Sequence, residues 1–301
     1  MPETMSHPRL FCFGLGYSAT RLARGLMADG WTVAGTCQST DRRDELASEG
    51  IEAFVFDRNQ LLADPEQALS GVTHLLSSVP PTENGDPVLI SHGGDIKAMQ
   101  GLQWAGYLSS TGVYGDADGA RVDETSPVNP SSDRSRRRAD AETAWLALRE
   151  NNGLPVHVFR LAGIYGPGQS ALDQMRAGGA RRIEKPGHMF SRIHVDDIAV
   201  VLRASMARPH SGSGPGAVYN VCDDEAASPA DVTAYAYELL GQAPPPVIPF
   251  AEAKKQMTPM GLSFWQDNRR IDNRRIKDDL GVTLTYPDYR AGLSAILADG
   301  G

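Results

Sequence analysis

The stretch that decides the fold is LFCFGLGYSA, Leu10 to Ala19. Leu10 to Phe13 read as a short buried strand. Gly14, Gly16 and Ala19 follow it, and then Leu22, Leu26 and Met27 recur at helical spacing. Strand, glycine turn and helix in that order make the signature of a dinucleotide site. Gly14 suits a tight turn, Gly16 lets backbone approach a pyrophosphate, and small Ala19 permits close helix packing. Leu15, Tyr17 and Ser18 complete the loop, whose unpaired N–H groups at the helix start suit an anion. Gly30 ends the helix and Trp31 to Thr36 supply a second strand, so a whole βαβ unit is present. An ordinary glycine turn is the plainer alternative.

The rest of the chain fits that opening. Its 301 residues are 41% apolar, enough for one large domain or two unequal ones. No apolar run approaches the roughly 20 residues a bilayer-spanning helix needs, and the first residues lack signal-peptide character, so a cytoplasmic protein is expected. Cys12, Cys37 and Cys222 lie far apart without metal-ligand spacing, and no metal site is expected. A net charge of -8 argues against a general role on nucleic acid or anionic membranes, which need a positive field.

Apolar runs alternate with helical stretches, the pattern of a parallel sheet covered on both faces. Strands are predicted at 9–13, 31–36, 51–56, 73–78, 104–109, 156–161 and 217–221, and helices at 17–29, 41–49, 88–101, 135–151, 196–207 and 228–240. The turn-rich segment 79–87 reads as an exposed loop at the sheet edge, and 211–216 and 243–249 read as connectors.

Six motifs carry a family resemblance: GLGYSA (14–19), SSTGVYG (109–115), RLAGIYGPG (160–168), RIHVDDIA (192–199), YNVCDD (219–224) and RRIKDDLGVTLTYPDYRAGL (274–293). On these the chain resembles the extended or atypical short-chain dehydrogenase/reductases, the NAD-dependent epimerase/dehydratase family, over nearly its whole length. The resemblance implies an α/β fold, a doubly wound parallel Rossmann sheet with a smaller C-terminal substrate-binding portion. Residues 1–168 would form the dinucleotide-binding domain, with 191–224 returning to it, and 169–190 and 225–301 the smaller portion. It also implies a small-molecule substrate, phosphorylated or nucleotide-linked, and pairing of two copies through a helical bundle that includes the helix carrying Arg138.

An NAD-preferring chain usually ends its second strand with Asp or Glu, which binds the ribose 2′-hydroxyl. Here Cys37 holds that place, with Gln38 and Ser39 after it and no carboxylate before Asp41. Arg42 and Arg43 come next. NADP is therefore the expected cofactor and NAD the alternative. The plainer reading makes both arginines solvated helix residues. By resemblance, Asp57 approaches adenine, Ser78 and Val79 line the ribose side, and Ile164 borders the nicotinamide.

The catalytic pattern departs from the family. Hydride chemistry at an alcohol needs a proton partner, normally a Tyr with a Lys four residues later. Ser110, with Thr111 beside it, matches the hydroxyl that holds the reacting oxygen. Aligning the helix on Glu142 puts Arg138 at the Lys position and Arg134 at the Tyr position. Arginine stays charged and cannot move a proton. Positions 134, 138, 141, 145 and 148 share one helix stripe, so both arginines lean towards the buried side, suited to phosphate or carboxylate. A charged surface helix start is the alternative. Tyr114 and His194 are the candidates to replace the missing Tyr, and Arg192 and His194 are candidates to face substrate. The reading is an NAD(P)-binding oxidoreductase or epimerase/dehydratase with a degenerate Tyr/Lys pair; the alternative is a non-catalytic NAD(P)-binding sensor or scaffold. Phe264 and Trp265 are expected to pack in the core.

Overall fold

The computed structural model describes residues 8–57, 60–208 and 218–300. The connector expected at 211–216 lies outside them. The chain divides into two compact units, one drawn from Met1–Ser109, Arg137–Phe159 and Val201–Tyr219, the other from Ser110–Arg136, Arg160–Val200 and Asn220–Gly301.

A seven-stranded sheet dominates the first unit. Its strands are β1 (Arg9–Phe13), β2 (Thr32–Cys37), β3 (Glu52–Val55), β4 (His74–Ser77), β5 (Trp104–Ser110), β6 (Val156–Leu161) and β7 (Val218–Val221). The order is β7-β6-β5-β4-β1-β2-β3. The ladders β1–β2, β1–β4, β2–β3 and β4–β5 run parallel, so chain direction reverses its walk across the sheet after β3. All seven predicted strands are present. Leu10, Phe11, Cys12, Phe13, Leu75 and Leu76 are fully buried, as near-continuous apolar runs in a sheet covered on both faces should be.

The helices are α1 (Tyr17–Ala28), α2 (Thr40–Ser48), α3 (Pro65–Leu69), α4 (Pro87–Ala98), α5 (Asp133–Asn152), α6 (Ala171–Arg176), α7 (Val195–Met206) and α8 (Pro229–Leu239). α1 buries Leu22, Ala23 and Leu26, while Met27, the third member of the spacing read from sequence, is half-buried. The short α3 went unforeseen, because five residues cannot display a helical period. The loop 79–87 closes on Asp86, whose carboxylate accepts the N–H groups of Val88 and Leu89 and caps α4 ahead of Pro87. Beneath β5, Trp145 of α5 is fully buried in the core with Phe11, Phe13, Leu75 and Tyr107.

The second unit has its own apolar core, in which Tyr165, Leu172, Val232, Ala236, Tyr289, Leu293 and Ile296 pack α6 and α8 against the helix Tyr289–Ala298. The segment 243–249 is a connector except at its end, where Ile248–Pro249 pairs with Ile183–Glu184. No described helix is long and apolar enough to cross a membrane.

Candidate functional site

In the first unit the glycine turn is held by three hydrogen bonds, two to Thr36 and one from Ser78. Gly14 N–H donates to Thr36 Oγ1 at 2.8 Å, and Leu15 N–H donates to the Thr36 carbonyl at 2.7 Å. The Ser78 hydroxyl donates to the Gly14 carbonyl. Gly14 has φ +87°, and a β-carbon there would lie 2.8 Å from Ser78 Oγ and 3.2 Å from Val79 Cγ2. The turn needs glycine for both reasons. Around Gly16 the opposite holds, since a β-carbon would meet nothing within 4 Å. Gly16 is also the N-cap of α1, and no side chain among the described residues caps that helix. Ser39, Asp64, Asp86 and Ser228 do cap α2, α3, α4 and α8. The start of α1 thus presents its N–H groups beside open space, a shape and polarity that fit a diphosphate.

At the end of β2, Cys37 is buried and its thiol points to the carbonyls of Ser39 (3.3 Å) and Phe54 (3.6 Å). Burial raises that thiol above its usual range. Gln38 and Ser39 are exposed. Arg42 reaches back from α2 to Thr20 Oγ1 on α1 (3.3 Å) while pairing with Glu45 (2.9 Å). One guanidinium therefore spans the two helices that flank β2. Asp57, just after β3, accepts the Gln60 N–H at 2.9 Å.

Farther along the sheet, Arg138 Nη1 donates to Tyr107 Oη (3.0 Å) and to the Leu108 carbonyl (2.9 Å), both on β5. Glu142, one turn on, is buried and accepts the Ser109 hydroxyl. Of the helix stripe read from sequence, Ala141, Trp145 and Leu148 are buried and Arg138 is half-buried, with Glu142 buried beside them, whereas Arg134, in the first turn of the helix, is exposed, which corrects its expected lean towards the buried side.

The second unit holds the other candidates. Ser110 Oγ accepts the Gly112 N–H at 3.1 Å, which leaves its own hydrogen free to donate. Thr111 follows, buried in the same turn. Tyr114 is buried, donates its hydroxyl to Asn220 Oδ1 at 2.7 Å, and lies 4.8 Å from the Arg160 guanidinium. Burial raises its phenol. Arg134 is exposed, 6.0 Å above the ring of Phe264. Phe264 itself is 54% exposed, which corrects the expectation that it packs in the core. Half-buried Trp265 does pack, stacked on His188 and Phe250. Ile164 lies partly exposed in the strand Gly163–Tyr165, which pairs with Arg192–His194. Arg192 Nη1 donates to the carbonyls of Phe190 (2.9 Å) and Ala227 (3.0 Å). His194 is buried, accepts the Asp196 N–H at 3.2 Å, and sits against Tyr165 and Tyr286. The Asp197 carboxylate accepts the N–H groups of Thr285 (2.7 Å) and Tyr286 (2.9 Å).

Sequence reading missed Asp223. Its carboxylate is 3% exposed, and neither oxygen makes a hydrogen bond of good geometry. Burial pushes it up to about 8, against the pull of the Arg192 guanidinium. The unfolded chain gives up this proton near pH 4. The folded chain keeps it until about pH 8, so stability falls as pH rises through that window and levels off above it. Asp223→Asn should be more stable than wild type at pH 8, by at least about 2 kcal/mol, with the difference closing below about pH 4. Urea midpoints at the two pH values check this, and a variant weaker than wild type at pH 8 would contradict it.

Comparison with known proteins gives these features a family. Residues 16–222 match the NAD dependent epimerase/dehydratase family. The chain belongs to that family. Protein YeeZ of Escherichia coli (strain K12) is 28% identical over 292 residues, spanning 91% of this chain and 95% of that protein. A solved structure of a functionally unknown conserved protein from Silicibacter pomeroyi DSS is 49% identical, with a TM-score of 0.87 over 97% of this chain and 99% of that one. UDP-glucuronic acid 4-epimerase from Bacillus cereus, solved in complex with NAD, shares the fold at 17% identity, with a TM-score of 0.75 over 95% of this chain and 96% of that one. The expected family and the doubly wound parallel α/β architecture are thereby established.

Proposed function

We propose that this family member is an NADP-preferring oxidoreductase or epimerase/dehydratase that works with a degenerate Tyr/Lys pair. The observation that carries the cofactor half is the α1 start, uncapped by any described side chain and open around Gly16. Gly14 to Ala19 would hold the diphosphate. Cys37, Gln38, Ser39 and Arg42 would surround the 2′-phosphate, Arg42 neutralising it where relatives that prefer NAD carry a carboxylate. Asp57, Ser78 and Val79 would flank the adenosine, and Ile164 the nicotinamide.

When bound, the nicotinamide supplies the carbon that takes or gives a hydride. The chain's own part is to hold and orient. Ser110 would donate its hydroxyl hydrogen to the reacting oxygen, with Thr111 beside it. Arg138 would supply a fixed positive charge, and Arg134 and Arg192 would attract an anionic substrate such as the sugar nucleotide named for the Bacillus cereus enzyme. A second reading, an NAD(P)-binding sensor or scaffold, draws on Tyr114. Its hydroxyl is engaged by Asn220, so it takes no proton from substrate without first breaking that bond. Mixing the protein with NADP and UDP-glucuronic acid and following both reduced nicotinamide and conversion of the sugar nucleotide separates the two for that substrate class, since an epimerase or dehydratase returns the hydride and leaves no net reduced cofactor.

Cofactor choice has a direct test in fluorescence titration with NADPH and NADH. Wild type should favour NADPH. Arg42→Glu should weaken NADPH about tenfold or more while leaving NADH nearly unchanged. Equal weakening of both, or of neither, would return Arg42 to the solvated face of α2.

A further inference from the structure

The turn after β5 and the first turn of α5 meet hydroxyl to hydroxyl. A β-carbon on Gly112 would lie 3.0 Å from Ser135 Oγ and 3.4 Å from Ser110 Oγ, so both oxygens face the Gly112 α-carbon from one side. Both serines are half-buried and belong to the second unit. Gly112 has no positive φ, so its backbone does not demand glycine. What glycine preserves there is the gap between the two hydroxyl groups.

Each hydroxyl is set to donate. Ser110 Oγ accepts the Gly112 N–H at 3.1 Å. Ser135 Oγ accepts the Ser132 hydroxyl at 3.0 Å, and Ser132 Oγ in return accepts the Ser135 N–H at 3.2 Å. Neither Ser110 nor Ser135 gives its own hydrogen to a described residue, and no hydrogen bond joins the two. A serine hydroxyl has one hydrogen to give, and accepting a bond strengthens it as a donor. Arg134 stands exposed over Phe264, so at the start of α5 the side chain that turns to Ser110 is Ser135, one residue past the place where the family carries its Tyr.

We infer that Ser110 and Ser135 together grip one acceptor oxygen of the substrate, a carbonyl oxygen in preference to an alcohol. The inference rests on the reading of Ser110 as the holder of the reacting oxygen. A carbonyl oxygen has two lone pairs and no hydrogen, so it takes both bonds and leaves nothing unpaired. An alcohol brings a hydrogen that needs an acceptor of its own, and each serine oxygen already has a donor. The favoured form is therefore the one that a keto intermediate, or a substrate for reduction, presents.

Pyruvate and lactate are the probes, because they carry the same charge and differ only in a carbonyl against an alcohol. The Gly112 N–H, bonded to Ser110 Oγ, reports on the gap through its amide resonance. In NMR titrations of wild type, pyruvate should shift that resonance and half-saturate at a concentration about fivefold below lactate. Ser135→Ala should bring pyruvate to the level of lactate, whereas Ser135→Thr, which keeps a hydroxyl, should retain most of the preference. A Gly112 resonance that pyruvate leaves unmoved in wild type, or a preference that survives in Ser135→Ala, overturns the inference. Should urea unfolding show that Ser135→Ala does not fold, Gly112→Ala asks the same question. It fills the gap and leaves both hydroxyls in the chain, so the pyruvate preference should be lost, and a preference equal to wild type overturns the inference. NADPH titration of the same samples keeps the two readings apart. Wild type that prefers pyruvate but binds neither NADPH nor NADH upholds the serine pair and sinks the dinucleotide reading, while NADPH binding without a pyruvate response sinks the pair alone.

Discussion

Trp145→Ala should lower stability by about 4 kcal/mol, the upper part of the range for deleting a buried aromatic ring. Trp145 is fully buried and belongs to the core that joins α5 to β1, β4 and β5. Removing it leaves a cavity against Tyr107, and burial limits how far the surroundings can collapse. It also strips Asp86 Oδ2 of its indole donor. Burial already raises the Asp86 carboxyl, so losing a hydrogen bond to its charged form adds to the cost. Trp145→Phe, which keeps most of the apolar volume, should cost about half as much. Urea unfolding at pH 7 measures both, and a loss under about 1 kcal/mol for the alanine variant would mean that the core closes over the gap.

Gly14→Val should abolish NADPH binding and destabilise the fold. A branched side chain at φ +87° is strained before any contact is counted, by about 1 to 3 kcal/mol. Its β-carbon then collides with Ser78 Oγ, whose hydroxyl holds the Gly14 carbonyl. Because that variant mixes a folding defect with a binding one, Gly16→Ala is its partner experiment. At Gly16 the backbone is extended, with φ -85° and ψ -165°, and an added methyl group meets no atom within 4 Å. Stability should stay within about 0.5 kcal/mol of wild type. NADPH affinity should nevertheless fall about tenfold or more, since the methyl group would occupy the space into which the diphosphate comes. Unchanged affinity in folded Gly16→Ala would place the anion elsewhere.

Much of the sheet was legible in sequence because its strands are apolar runs bounded by turn residues. LFCF, TVAGTC and VHVFRL need no partner to announce themselves. Long helices with one apolar stripe, such as α1, were equally plain. Short or irregular elements were not: α3 carries its Asp64 cap and Pro65, yet it is too brief for a period to emerge. Side-chain networks between distant segments left no local trace. Trp145 and Tyr107 read simply as apolar positions, and Asp86 as one more polar loop residue 59 positions from the indole it receives. Arg138 was correctly expected to lean towards the buried side, but its partners on β5 could not be named. Phe264 failed in the other direction. An aromatic residue was assumed to seek the core, and the guanidinium of Arg134 covers one face of its ring instead. Asp223 gave no signal at all, because a carboxylate's burial depends on what folds around it.

The central claim is that the start of α1 grips a diphosphate, and a crystal structure of the protein soaked with excess NADPH tests it most directly. The account predicts density for the diphosphate over Gly16, within hydrogen-bond reach of the first N–H groups of α1, with the 2′-phosphate beside Arg42. Density for the nucleotide at another place, or that space filled by the protein's own side chains, would contradict it.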